Sequence, residues 1–160
     1  MITDGSFRRA RADERDLLDD MTLAGVRYWG HDVNHPEAYD GLVSTLAAED
    51  GPEHHPVWVL AEDDEVVAFY ELRDRGDHAE LLRMFMRPDR IGQGYGTRLW
   101  HHAVATAATT HDRMLIMSDP SARGFYAPMG ATLDKTVEVA PGFELGVFWY
   151  DLAPTAEKRA

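Results

Sequence analysis

The spacing of apolar positions changes repeatedly along the chain, and each change predicts a change of secondary structure. A short stretch around Ser6 to Ala12 reads as a first strand. Behind Asp13, a residue able to cap a helix, Leu17, Met21, Ala24 and Tyr28 recur at helical intervals. Gly25 sits inside that helix, where glycine costs about 1 kcal/mol relative to alanine. A second helix is predicted from Asn34, with Pro36 and Glu37 in its first turn. Its stripe is Tyr39, Leu42, Val43, Leu46 and Ala47, and Gly51 is its stop. From Val57 the texture becomes strand-like. Val57 to Ala61, Val66 to Arg73 and Glu80 to Arg87 are separated only by Glu62-Asp63-Asp64-Glu65 and by Asp74-Arg75-Gly76-Asp77. Connections this short imply an antiparallel meander.

A helix from about Gly94 to Thr110 follows, with Tyr95, Leu99, Ala103 and Ala107 on one face, and then the apolar run Met114 to Met117, suited to a buried strand. Strand, helix and strand in that order predict a right-handed parallel crossover. Asp119-Pro120 predicts the start of a short helix that Gly130 ends. Leu133 to Val139 and Phe143 to Leu152 flank Pro141-Gly142 as a hairpin. The expected fold class is therefore mixed α/β: a mostly antiparallel sheet of about seven strands with one parallel step, flanked by about four helices. It is read as a single domain over 1–153, with 154–160 as a loose tail.

Composition narrows the chemistry. The chain has no cysteine, which excludes thiol nucleophiles, disulfides and cysteine metal sites. With 28 acidic against 16 basic residues the formal charge is −12, so nucleic acid and anionic membranes are not expected partners and cations are. No apolar run approaches the length of a bilayer span and Met1 to Arg9 lacks a signal-peptide core, so a soluble, cytoplasmic protein is expected. No metal is expected either. His31 and His35 are interrupted by Asn34 and Pro36, and the pairs His54-His55 and His101-His102 diverge on any regular element. Gly-x-Ser-x-Gly is absent, which argues against a serine hydrolase.

The most informative stretch is Met84 to Gly96, in which Gly92, Gly94 and Gly96 alternate between a strand and the mouth of a helix. Glycines admit positive φ and close approach, and a helix start offers unpaired N–H groups, which together make an anion site. A dinucleotide fingerprint would need glycine at Thr97 and an acid near Met117, and a P-loop would need Gly-Lys-Ser/Thr. A turn that merely tightens the connection is the bland alternative. Charge favours the anion: Glu80 to Phe125 holds arginines 83, 87, 90, 98, 113 and 123 against acids 80, 89, 112 and 119, within a chain that is otherwise strongly acidic. A basic patch at the loop is expected.

These residues resemble the GNAT superfamily of acyl-CoA-dependent N-acetyltransferases, whose loop reads Gln/Arg-x-x-Gly-x-Gly/Ala after a strand ending Val-x-Pro. Met86-Arg87-Pro88 matches the strand end, and Ile91-Gly92-Gln93-Gly94-Tyr95-Gly96 matches the loop except at Ile91. Arg90 is the side chain placed to compensate there. The segment Asp119-Pro120-Ser121-Ala122-Arg123-Gly124-Phe125-Tyr126 looks like the family's late motif, with Asp-Pro where Asn often stands.

The resemblance implies acetyl-CoA as cosubstrate, bound by Phe85 to Pro88, by Arg90 to Thr97 (Arg90, Ile91, Gly92, Gln93, Gly94, Tyr95, Gly96, Thr97), and by Asp119, Ala122 and Tyr126. It implies the backbone N–H of Met86 as carbonyl polariser and Tyr126 as general acid. It places Glu80 where one branch keeps a glutamate base, acting through water, with Glu71 on the preceding strand second. Substrate contacts fall on Tyr28, Trp29, His31, Asp32 and Tyr39, with the hairpin near Phe143 to Phe148. The expected partner is a cationic small-molecule or peptidyl amine, and a homodimer through the C-terminal hairpin is an open alternative to a monomer. A CoA-binding sensor or assembly module without catalysis is the competing reading.

Overall fold

A computed structural model of the chain describes residues 5–28, 57–118, 122–140 and 143–152. The predicted second helix, the turn at Pro141-Gly142, the tail 154–160 and the residues Trp29, His31, Asp32, Tyr39 and Asp119 lie outside them.

Seven strands form one sheet: β1 (Ser6–Arg9), β2 (Val57–Glu62), β3 (Glu65–Asp74), β4 (Ala79–Met86), β5 (Arg113–Ser118), β6 (Thr132–Ala140) and β7 (Phe143–Asp151), in the order β1-β2-β3-β4-β5-β7-β6. The meander β2-β3-β4 is antiparallel, as the short acidic connections require, and β4 pairs β5 in parallel across the helix α2 (Tyr95–Ala108). The sequence pairs β6 with β7 but does not say which of them lies beside β5; β7 does, antiparallel and along the whole of β5.

The helices cover opposite faces. Beneath α2 lie Leu60, Tyr70, Leu72, Leu81, Met114 and Ile116 of the sheet, met by Leu99, Trp100, Ala103 and Ala107. The stripe read from the sequence is the one that is buried, widened by Trp100, and each such large side chain removed from water contributes roughly 2–3 kcal/mol. Beneath α1 (Arg15–Tyr28) lie Val57, Val59 and Phe69, with Phe85 at the margin.

The predicted face of α1 is corrected by one position. Leu18, Met21 and Thr22 are buried, whereas Leu17 is 46% and Tyr28 53% exposed. Two polar and steric demands of the sheet set this rotation. Thr22 Oγ1 accepts a hydrogen bond from Arg83 Nη1 at 3.3 Å, and a Cβ on Gly25 would lie 2.8 Å from Phe85 Cδ1. The glycine that weakens the helix on propensity is thus what lets the helix sit down on β4. Asp13 is not the cap either. It lies within a 3-10 turn (Ala12–Glu14) whose entry is held by Glu14, with Oε1 accepting the Arg11 N–H at 2.8 Å.

Candidate active site

The site grows from a defect in β4. Glu71 pairs with Arg83 and Leu72 with Leu81, so Leu82 is an extra, unopposed residue. The bulge reverses the alternation of side chains. Leu81, Met84 and Met86 pack under α2, while Phe85 packs under α1 and Arg83 reaches the α1 residues Asp19 and Thr22. Glu80, which regular alternation would put on the face of Met84 and Met86, therefore shares a face with Arg83 and Phe85. Just before the bulge, the parallel pairing with β5 ends: only Ala79, Glu80 and Leu81 have β5 partners, while β5 continues alongside β7 to Ser118. Strands β4 and β5 splay apart from there.

That splay leaves main-chain donors exposed to the gap. Arg87 N–H donates to Val67 O of β3 at 2.9 Å. Because N–H groups alternate between the two edges of a strand, the N–H of Met86 is directed to the opposite edge, where β5 has departed. Past Met86 the 3-10 turn Pro88–Arg90 consumes two donors, Arg90 N–H to Arg87 O at 2.9 Å and Ile91 N–H to Pro88 O at 3.3 Å. The next backbone bond is Arg98 N–H to Gly94 O. Between them, among the described residues, the N–H groups of Gly92 through Thr97 have no backbone acceptor. Gly92 and Gly94 take φ of +84° and +90°, with open space where a Cβ would be, so backbone conformation rather than crowding requires glycine there. The result is a curved row of donors ending on the positive pole of α2, suited to an anion.

Gly96 has a different task. A Cβ on it would lie 3.3 Å from Phe125 Cε1 and 3.4 Å from Met86 Cε. The end of β4, the start of α2 and the short helix α3 (Arg123–Tyr126) therefore converge on one position that carries no side chain. Tyr126 is 7% exposed, edge-on to Phe125 at 5.2 Å, and tilted against Trp100 and Phe148 at 5.8 and 5.9 Å. Aromatic walls fix its ring from three sides. Ala122 packs at the edge of the same cluster.

The basic patch expected at the loop is corrected. Arg87 bridges Asp89 at 2.8 Å and Glu65, and Arg90 Nη1 reaches Glu62 at 3.2 Å. Arg98 donates to Gly5 O at 3.3 Å and stands 4.0 Å from Glu62. Arg83 is wholly buried between Glu71 and Asp19, and Arg113 pairs with Asp77. Apart from Asp89, these acids lie outside residues 80–125, so charge along the chain misstates charge in space. Arg90 is therefore not a free substitute for the side chain missing at Ile91. The Tyr95 phenol also turns away from the loop, donating to Glu62 at 2.7 Å. This hydrogen bond, reinforced by burial, holds its pKa above the ordinary tyrosine value. Sequence reasoning overlooked Glu62. The signal was the density of acids at 62–65, read only as a connector.

The carboxylates considered as base are both engaged. Glu80 is 5% exposed and accepts Arg75 Nε at 2.6 Å. Glu71 is fully buried and accepts Arg83 Nε at 3.0 Å, so its carboxylate faces the interior rather than solvent. Tyr28, at the end of α1, is exposed. Gln93 folds its amide back onto Asp89 O at 2.9 Å, bracing the loop. Among the described residues no group of three or more His, Asp or Glu could hold a metal ion, and no helix is long and apolar enough to cross a membrane.

Comparison with known proteins identifies the family. Residues 18–131 match the acetyltransferase (GNAT) family. The chain belongs to that family. A peptidyl-lysine N-acetyltransferase, YjaB of Salmonella typhimurium, is 33% identical over 140 residues, spanning 84% of this chain and 88% of the relative. Among solved structures, the PaiA N-acetyltransferase of Thermoplasma acidophilum in complex with coenzyme A superposes with a TM-score of 0.75 at 13% identity, covering 92% and 98% of the two chains. The ribosomal-protein-S18-alanine N-acetyltransferase of Escherichia coli superposes with a TM-score of 0.72 at 12% identity, covering 96% and 97%. As a GNAT member the protein is an N-acetyltransferase that uses acetyl-CoA as acetyl donor. The donor row at 92–97 suits a diphosphate, and the splay beside Met86 suits an extended, amide-bearing arm.

Proposed function

We propose that the protein acetylates a primary amine by direct attack within a ternary complex, with Tyr126 as general acid. Acetyl-CoA, when bound, supplies an activated acetyl group on a thiol leaving group. The N–H groups of Gly92 to Thr97 hold its diphosphate. The N–H of Met86 donates to the acetyl oxygen as negative charge develops there, a contribution of roughly 3 kcal/mol for one fixed donor. Tyr126 Oη gives its proton to the departing sulfur. Phe85 and Arg87 to Pro88 hold the strand edge along which the arm lies, and Ala122 and Asp119 are further candidate contacts of the coenzyme.

The acceptor enters from the α1 face, where Tyr28 is exposed at the end of the helix; Trp29 is a candidate contact on the sequence alone. It must lose a proton before it attacks. Glu80 is the candidate acceptor of that proton, through a water and after releasing Arg75, and solvent water is the alternative. A net charge of −12 favours a cationic acceptor, and the 33% identical peptidyl-lysine N-acetyltransferase makes a lysine side chain the first to assay.

The observation carrying this reading is the convergence of Met86, Gly96 and Phe125 beside the opened sheet, with the Tyr126 ring packed edge-on against Phe125. The test is thiol release from acetyl-CoA against a library of amines and lysine peptides, with mass spectrometry of the product. Tyr126→Phe is expected to lower kcat about a hundredfold or more while CoA binding is retained. Folded protein that binds CoA yet acetylates nothing in the library would favour the sensor reading instead. An unchanged kcat in Tyr126→Phe would remove the phenol from the mechanism.

A further inference from the structure

Glu62 ends β2, two strands away from β4, yet its carboxylate is only 7% exposed and stands at the base of the glycine loop. Its Oε1 accepts Arg90 Nη1 at 3.2 Å and lies 2.9 Å from the Tyr95 hydroxyl. Its Oε2 lies 2.7 Å from the same hydroxyl and 4.0 Å from Arg98 Nη1. The guanidinium carbons of Arg90 and Arg98 lie over the Tyr95 ring, 5.8 and 5.7 Å from its centroid. Arg90 is the last residue of the 3-10 turn after β4, and Tyr95 is the first residue of α2. The stretch between them, 91–94, contains both positive-φ glycines of the loop. One carboxylate therefore clamps both ends of the segment whose shape sets the direction of the donor row. Ile91 brings no polar side chain to that segment, and Arg87 and Arg90 are already committed to carboxylates, so grip on an anion here falls to the main chain.

We propose that Glu62 is a positioning residue for acetyl-CoA: by tying Arg90 to Tyr95 it fixes the curvature of the 91–94 loop and so the aim of the N–H groups that hold the diphosphate. This rests on the reading that the loop binds CoA. Two effects of the carboxylate oppose each other. Its negative charge near a diphosphate is repulsive, so on charge alone its removal would tighten binding. Against that, two guanidinium groups within 4.0 Å already offset the charge. Losing the clamp would free a short loop that then has to be ordered on binding, a cost that preorganisation otherwise avoids. The proposal requires the second effect to win.

The experiment is calorimetric titration of the full chain with CoA and, separately, with pantetheine, which lacks the diphosphate. Glu62→Gln is expected to weaken CoA about tenfold through loss of preorganisation and to leave pantetheine unchanged. Tyr95→Phe should behave alike, and the double variant should be little worse than the weaker-binding single one, since both cut the same link. If Glu62→Gln fails to fold, Tyr95→Phe, which removes one oxygen, carries the same test. CoA bound equally or more tightly by the variant overturns the proposal, as does an equal loss for CoA and pantetheine, which would mean general loosening. A wild-type chain that does not bind CoA overturns the reading of the loop itself, an outcome distinct from the others.

Discussion

Gly25 and Gly96 show how little a residue's own propensity says about its role. Both are glycines in helices, where glycine is unfavourable, and both stand where a methyl group would strike an aromatic ring or a methionine from another element. The 2.8 Å approach at Gly25 is shorter than Cβ contacts in proteins, so Gly25→Ala must displace either α1 or the Phe85 ring. The expected loss is about 1–3 kcal/mol, the usual cost of overpacking, read as a lower urea midpoint with unchanged slope. Phe85→Leu in the same chain should restore part of it, since the ring supplies the clashing atom. At the loop the sequence was more candid. Gly92 and Gly94 need φ values open mainly to glycine, and alternating glycines before a helix announce that need, whereas nothing adjacent to Gly25 announces Phe85.

Among the elements, the entry to α1 carries the clearest electrostatic signature. Glu14 is nearly buried, takes Arg8 through both oxygens at 2.9 and 2.8 Å, and accepts the Arg11 N–H. The Arg8 hydrogen bonds lower its pKa from about 4.5 to about 2, despite burial acting the other way. A carboxyl whose folded pKa lies below its unfolded one stabilises the fold above the unfolded value. That contribution drains away as pH falls from about 4.5 toward about 2. The expectation is a loss of roughly 2 kcal/mol across that window which Glu14→Gln abolishes, checked by denaturant midpoints at pH 6 and pH 3 in both proteins. The sequence supplied Glu14 and Arg8 but named Asp13 as cap, because choosing among three neighbouring polar residues requires knowing which one the sheet will bury.

At the scale of the whole molecule, the decisive feature is the sheet dividing into β1-β2-β3-β4 and β5-β7-β6, joined only across 79–81. Amide hydrogen exchange should expose this division. Phe85 and Arg87 are expected to exchange slowly, hydrogen-bonded to β3. Met84 and Met86 should exchange markedly faster, and CoA should slow Met86 in particular. Slow exchange at Met86 without CoA would mean that the gap is closed in solution. The same scale governs charge. The arginines at the loop read as a patch along the chain and prove to be paired, because β2 and β3 carry Glu62 and Glu65 up to them.

The order of the described strands and helices, the buried stripe of α2 and the glycine loop were all legible beforehand, because periodicity and backbone conformation are local properties that a run of a dozen residues specifies. The position of β7 beside β5, the bulge at Leu82 that turns Glu80 to the α1 face, the rotation of α1 onto Phe85 and the partners of the arginines around the loop were not. Each depends on which distant segments share a volume, and burial and charge pairing are settled by that packing rather than by neighbours in the chain.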